Sequence, residues 1–321
     1  MIQANLKVYR YNPQKEQEPH YDTYQVEDLP DFATLLDALI KVREEMDGTL
    51  AMRCSCRSAV CGSCAFRVNG HAKLGCKIKL STLAPNGEEI RVDPMGNMKV
   101  IKDLVTDMDM FWDKLRQVKP WIELEGEPPE REYQVPHSKM VELQQPMNCI
   151  MCGACVSDCT VLEEDSKFLA PAALAKAYRV IDDPRHSKAK EWLADLSGEG
   201  GIWDCTRCLE CVQVCPKDVA PMDQIIKLRE LAIDAGLTDN IGAKHVLNFT
   251  KSVAHTGVLD ERTLPIKAAG LGWAFKNMGI AIKATLKGKI KPPLPGTHPS
   301  VTEVKDIRRI HAELEEGKAK S

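Results

Sequence analysis

Thirteen cysteines gathered into three tight groups, at positions 54–76, 149–159 and 205–215, constrain this 321-residue chain more than any other feature. Disulfide frameworks belong to short secreted chains, where cysteines are spread out to staple distant loops. Here the count is odd, and neighbouring cysteines within a group are mostly two to four residues apart. Met1–Arg10 alternates like a strand and lacks the apolar core of a secretory signal. Each group therefore reads as a metal site in a reducing compartment.

A hydrophobic content of 44% is ample for two globular domains and a tail. With 43 basic and 46 acidic residues the formal charge is -3, which argues against nucleic acid as the main partner. No apolar run reaches the roughly 18–20 residues of a membrane span, so a soluble or peripheral protein without a transmembrane segment is expected. Residues 1–10 and 21–27 alternate apolar and polar and read as two strands. Leu35, Leu36, Leu39, Ile40 and Val42 recur at helical spacing and predict a helix to about Met46. The Ser-, Gly- and Arg-rich Cys54–Cys64 stretch is a loop, and Ala65–Val68 with Asn69-Gly70 is a strand entering a hairpin turn. From about 106 the pattern turns helical, at 106–118, 171–182, 187–196 and 222–235, interrupted by a polar, proline-containing loop at 125–136. An extension follows, basic around Lys283–Lys291, proline-rich at 292–299, and closing in a charged helix near 301–318. The expected fold is α+β, with a small sheet domain over 1–105, a helical domain over 106–240 and an extension over 241–321.

The first group reads Cys56-x4-Cys61-x2-Cys64, with eleven residues between Cys64 and Cys76. This is the plant-type 2Fe–2S spacing. A loop wraps the cluster so that three thiolates and backbone N–H groups face it, Gly62 allows close backbone approach, and Cys76 arrives from the far end of the hairpin. The other groups are Cys149-x2-Cys152-x2-Cys155-x3-Cys159 and Cys205-x2-Cys208-x2-Cys211-x3-Cys215-Pro216. Each is the bacterial-ferredoxin run, and in two-cluster ferredoxins the fourth cysteine of a run serves the other cluster. That predicts one ligand set of Cys149, Cys152, Cys155 and Cys215, and another of Cys205, Cys208, Cys211 and Cys159. Structural zinc favours paired C-x2–4-C units and fits none of the three groups. Cys54 is left over and reads as a small buried filler rather than a ligand or reactive thiol. No histidine lies within a run, so a Rieske centre is not supported.

Three groups in this order resemble the iron–sulfur subunit of succinate dehydrogenase and fumarate reductase. The resemblance covers about residues 5–235. It is carried also by Val8-Tyr9-Arg10-Tyr11-Asn12-Pro13, Leu36-Asp37-Ala38-Leu39, Ser55-Cys56-Arg57, Cys61-Gly62-Ser63-Cys64-Ala65, Val100-Ile101-Lys102-Asp103-Leu104-Val105, Pro171-Ala172-Ala173-Leu174 and Ala177-Tyr178-Arg179. It implies a β-grasp plant-type ferredoxin domain followed by a helical two-cluster domain. It also implies docking on an FAD-containing flavoprotein that interconverts succinate and fumarate, and electron flow through three clusters to a quinone or other membrane-side acceptor. No residue of this subunit is then catalytic, and the chain sits at the cytoplasmic face of a membrane as part of a complex.

The departures from that family bear on the acceptor side. Most members lack the second cysteine of the third run, commonly having isoleucine, and hold a 3Fe–4S cluster; here Cys208 completes a 4Fe–4S set, the alternative being that it turns away. Thr206 stands where the family usually has histidine, and Thr160-Val161-Leu162 stand where it has proline and a tryptophan-containing stretch. His245, Phe249, Ser252, Gly257, Leu259, Glu261 and Leu264 resemble the C subunit of heterodisulfide reductases. This second resemblance implies a cysteine-rich, heterodisulfide-reductase-like membrane-side partner. The Ile280–Lys291 stretch reads as a solvated helix face, with a membrane surface as the alternative. The leading function is electron transfer in a succinate:quinone oxidoreductase. The alternatives are a quinol- or thiol-driven fumarate reductase and a stand-alone multi-cluster ferredoxin.

Overall fold

The computed structural model describes residues 1–289 and 301–320, with side chains as far as 314. The proline-rich 292–299 stretch and the end of the basic stretch at Ile290 and Lys291 lie outside the described residues. The chain forms two compact units, Met1–Leu231 and Ala232–Ser321.

The first unit begins with strands β1 (Ile2–Arg10) and β2 (His20–Leu29), paired antiparallel, then helix α1 (Leu35–Lys41). Alternation in β1 buries Ala4, Leu6 and Val8 on one face. Thr34 starts α1 with a capping box: its hydroxyl accepts from the Asp37 N–H, and Asp37 accepts from the Thr34 N–H. The helix continues through a wide π-type turn, Val42–Met46, so the expected end at Met46 holds. Strands β3 (Ala65–Val68) and β4 (His71–Leu74) make the expected hairpin; Asn69 and Gly70 both take positive φ, at 50° and 91°. A single turn, α2 (Leu80–Leu83), leads to β5 (Glu89–Asp93), which pairs parallel to β1 and antiparallel to β3. The sheet order is β2-β1-β5-β3-β4, a β-grasp with Leu35, Leu36 and Leu39 of α1 buried in its core. A small ribbon, β6 (Val100–Lys102) with β7 (Val105–Thr106), closes this part.

Helices α3 (Asp109–Gln117), α4 (His137–Met147), α5 (Ala154–Ser157), α6 (Thr160–Glu164), α7 (Pro171–Ile181), α8 (Ala189–Leu196), α9 (Glu210–Gln213) and α10 (Pro221–Asp234) follow. The alanine-rich α7 is buried almost throughout and forms the centre of the helical layer. The α4 helix, not anticipated from the sequence, contains Pro146 and stops at Met147, two residues before Cys149. Segment 125–136 has neither helix nor strand, as expected. The second unit contains α11 (Ile241–Thr256), α12 (Leu264–Lys276), α13 (Met278–Leu286) and α14 (Val304–Lys320).

One buried charge network fixes the segment that enters the first cysteine loop. Arg10 is 7% exposed; it donates to Asp103 at 3.2 Å, Asp22 at 3.1 Å and Thr49 at 2.7 Å, and also to Asp47. Asp103 further accepts the backbone N–H groups of Tyr11 and Ala51. Hydrogen bonds from Thr49, with Arg10 and Tyr24 adding to them, hold the Asp47 carboxyl well below the usual range. Replacing Arg10 by Met should leave Asp103 buried without its cation and destabilise the unit by about 3–5 kcal/mol. A fall in the urea midpoint checks this.

A second ion cluster closes the end of α7. Asp183 is buried; burial alone would raise its pKa, but hydrogen bonds from Arg185 and Arg179 prevail and lower it from 3.8 to about 2. A depressed carboxylate contributes its stability above its ordinary pKa and loses it as pH falls through its folded value. The stability difference between the protein and its Asp183→Asn variant should therefore be constant above pH 5 and shrink as pH falls from about 4 to about 2. Denaturation midpoints compared across that range check this.

Candidate metal centres

The first cysteine loop coils because Arg57 and Ala59 both adopt left-handed conformations, with φ of 55° and 54°. This turns amides inward. The N–H groups of Ser58, Val60 and Cys61 point at Cys56 Sγ from 3.3–3.4 Å, and that of Ala59 donates to Cys76 Sγ at 3.2 Å. The β3–β4 hairpin returns Cys76 to Cys64, with the Gly75 N–H donating to Cys64 O at 2.8 Å. Gly75 packs closely there, since a Cβ would sit 3.1 Å from the Phe66 ring. The four thiols differ in setting. Hydrogen bonds from Ser63 and the backbone pull the exposed Cys61 down to about 6, whereas burial pushes Cys64 up to about 12.

The two later groups share one backbone path. Met151 and Gly153 take φ of 55° and 80°, and the equivalent Arg207 and Leu209 take 60° and 72°. Each loop then enters a one-turn helix, α5 or α9, carrying the third cysteine of its run. These two short helices pack against each other, and the last cysteine of each run lies by the opposite group. Cys215 lines one cavity with Cys149, Cys152 and Cys155. Cys159 has Cys205 and Cys208 as its ionisable neighbours, and Cys211 has Cys205, Cys159 and Cys208. Thr160, which starts α6, donates its hydroxyl to Cys208 Sγ at 3.5 Å.

Burial pushes the thiols of Cys152 and Cys211 up to about 11 and about 12, and that of Cys155 well above its ordinary value. Ionised thiolates at this depth need positive charge at their centre. Among the described residues no three His, Cys, Asp or Glu side chains converge on a point that would hold one metal ion. Cys149, Cys152, Cys155 and Cys215 instead line a cavity, backbone N–H groups aim at the sulfurs of the first loop, and this donor set fits iron–sulfur clusters. Cys54 joins none of the groups; it is half-buried against the sheet core, with Arg43 Nη1 at 3.9 Å from its sulfur.

The first and second cysteine loops touch without an intervening side chain. A Cβ on Gly62 would lie 2.7 Å from Cys152 Cβ and 2.8 Å from its Cα, and Gly62 has a φ of 75°. Polar contacts around α5 hold this junction. Asn97 Nδ2 donates to the carbonyls of Val156, Ser157 and Cys159 at 2.9, 3.2 and 3.0 Å, and the buried Asp158 accepts the Ala72 N–H at 2.7 Å. Lys77 reaches Pro216 O at 2.8 Å. Arg229, buried on α10, donates to Ile202 O and Cys205 O, both at 2.7 Å, and so braces the third loop. Sequence reasoning missed Asn97, Asp158 and Arg229. The one available signal was a lone arginine between the buried Leu228 and Ala232 of α10.

Residues 5–113 match the 2Fe-2S iron–sulfur cluster binding domain and residues 146–219 the 4Fe-4S dicluster domain. The iron–sulfur subunit of 8-methylmenaquinol:fumarate reductase from Wolinella succinogenes is 34% identical over 289 residues, covering 88% of this chain and 89% of that protein. The chain belongs to the iron–sulfur subunits of succinate dehydrogenase and fumarate reductase. The fumarate reductase iron–sulfur subunit of Haemophilus influenzae is 38% identical, over 69% of this chain and 90% of its own length. Succinate dehydrogenase [ubiquinone] iron–sulfur subunit 1 of rice is 34% identical over 72% and 84%. In solved structures, the Mycobacterium smegmatis Sdh1 complex superposes with a TM-score of 0.66 at 25% identity, over 74% of this chain and 98% of that one.

As a member of this family the chain is the electron-transfer subunit of an oxidoreductase, with 2Fe–2S and 4Fe–4S binding domains. The Gly62–Cys152 contact makes a steric demand within it. Gly62→Ala should force the two loops apart and perturb the spectra of both neighbouring centres. Gly70→Ala, with nothing within 4 Å, should cost only about 1–2 kcal/mol of left-handed strain. Iron content and low-temperature EPR of the two variants check this contrast.

Proposed function

We propose that Cys56, Cys61, Cys64 and Cys76 bind the 2Fe–2S cluster, that Cys149, Cys152, Cys155 and Cys215 bind the middle 4Fe–4S cluster, and that Cys205, Cys208, Cys211 and Cys159 bind a third, also 4Fe–4S. The chain then carries electrons between the FAD of a succinate/fumarate flavoprotein and a quinone, as a peripheral subunit on the cytoplasmic face of a membrane. A bound cluster supplies one-electron transfer. The chain's own part is to space the thiols and aim amides at sulfur. The observation that carries the reading is the exchange of last cysteines: Cys215 sits with Cys149, Cys152 and Cys155, and Cys159 with Cys205, Cys208 and Cys211. Cys61 and Cys208 reach the surface, while Cys64, Cys159 and Cys211 are buried.

Cys208 favours a four-iron third centre because it faces Thr160, the residue after Cys159. Two positions where the chain departs from its family are thus in contact across 48 residues. The acceptor side is further informed by the second unit. The Wolinella relative aligns over 289 residues, which extends beyond the 231 residues of the first unit, whereas the Haemophilus relative aligns over 234. The resembling residues cluster at the turn after α11. Ser252 accepts the Asp260 N–H at 2.9 Å, Gly257 ends the helix at a φ of 81°, and Leu264 is buried. This supports a membrane-side partner of the cysteine-rich, heterodisulfide-reductase-like kind and a quinol-linked enzyme.

EPR of protein oxidised without air should show little three-iron signal, and Cys208→Ile should make one appear at stoichiometric intensity. A strong three-iron signal in the unaltered protein would overturn the assignment of Cys208.

A further inference from the structure

We propose that α12 and α13 form a docking surface for an anionic lipid bilayer, with direct protein–lipid contact made by this chain. No residue of α13 is buried, yet its sequence is MGIAIKATL. Met278, Ile282 and Leu286 recur at i, i+4 and i+8 and form one stripe, exposed at 51%, 52% and 81%. Just before it, Trp273 and Phe275 are exposed at 46% and 72%. Apolar side chains of this size, gathered on consecutive short helices, exceed the scattered exposure of an ordinary surface.

Charge selects the occupant. From Thr263 to Thr302 the sequence has no Asp or Glu and six lysines: Lys267, Lys276, Lys283, Lys287, Lys289 and Lys291. None of the first five has an ion-pair partner among the described residues. In an ordinary solvated helix, carboxylates accompany lysines, as they do in α14. A surface that is cationic, rich in exposed apolar side chains and supplied with Trp and Phe matches the headgroup and upper acyl layers of an anionic bilayer. The segment cannot span instead: no described helix is long and apolar enough, and Gly270 (φ 84°, ψ 172°) and the non-helical Asn277 divide it into short pieces. Helices that carry lysines beside exposed apolar side chains and do not span lie in the plane of the interface.

The test uses the full chain in its purified complex, with vesicles of phosphatidylcholine alone or with 30 mol% phosphatidylglycerol. Flotation should recover the complex with the anionic vesicles, and recovery should fall as salt is raised. Lys283→Glu with Lys287→Glu should weaken partitioning at least about tenfold. Ile282→Glu with Leu286→Glu should abolish it, while iron and sulfide content stay unchanged in both double variants. Hydrogen–deuterium exchange over 264–289 should slow only when anionic vesicles are added. If this segment is already protected in the complex without lipid, a protein subunit covers it and the proposal fails. It fails equally if neither double variant changes flotation. The cluster assignment stands or falls separately, since it predicts iron content and EPR signals rather than lipid binding.

Discussion

The contact between Gly62 and Cys152 sets the terms for the rest of the first unit. Two loops 90 residues apart in sequence meet backbone to side chain, with no room for even a methyl group between them. Neither loop has regular hydrogen bonding to hold it there. The burden falls on the surrounding contacts: Asn97 capping the end of α5, Asp158 under Ala72, Lys77 on Pro216 and the Arg10 network behind the first loop. Apart from the exposed Lys77, these are charged or amide groups at least half-buried, where an unmet partner is expensive, so the junction has one satisfactory arrangement and few near-alternatives. For a subunit that moves electrons, a fixed separation is the property that matters.

The two ferredoxin-type loops show how one backbone solution tolerates two environments. At the position before the one-turn helix, the second loop has Gly153 and the third has Leu209, both left-handed. Gly153 is overhung by the methyls of Met98, Met95 and Met108 at 3.1–3.5 Å from where a Cβ would sit, so a side chain there would have to displace them. Leu209 has open space and bears the left-handed strain instead, with its side chain 45% exposed. Met95, Met98 and Met108 thus cover the second loop, while Thr160 and Arg229 contact the third.

Much of this was legible in the sequence because it is local. Cysteine spacing, the Asn69-Gly70 turn, the alternation of β1 and the periodicity of α1 and α7 are each written within a dozen residues. A small α+β domain followed from them, and the β-grasp came with the family resemblance. The parallel pairing of β1 with β5 was not legible, since a short strand such as Glu89–Asp93 acquires its partner only through the intervening hairpin and helix. The α4 helix was hidden by Pro146, which sits in its last turn and there ends the helix rather than breaking its middle. Asn97, Asp158 and Arg229 were invisible for a related reason. Each is a polar residue whose importance lies in distant backbone atoms, and no pattern within its own segment marks it.

The second unit presents the opposite balance. In it, α14 is densely charged and α11 buries little beyond Ala243, while α13 buries nothing. A nine-residue helix is too short to be stable in water on its own propensity, because nucleation is unfavourable and few hydrogen bonds follow it. Burial of an apolar face usually makes good the deficit. The face exists here, in Met278, Ile282 and Leu286, but it is turned outward, and the lysines beside it lack the carboxylates that would make it an ordinary solvated surface. Its stability as a helix must then depend on what it meets. The first unit is ordered by contacts it makes with itself, and this segment by contacts it makes with a surface.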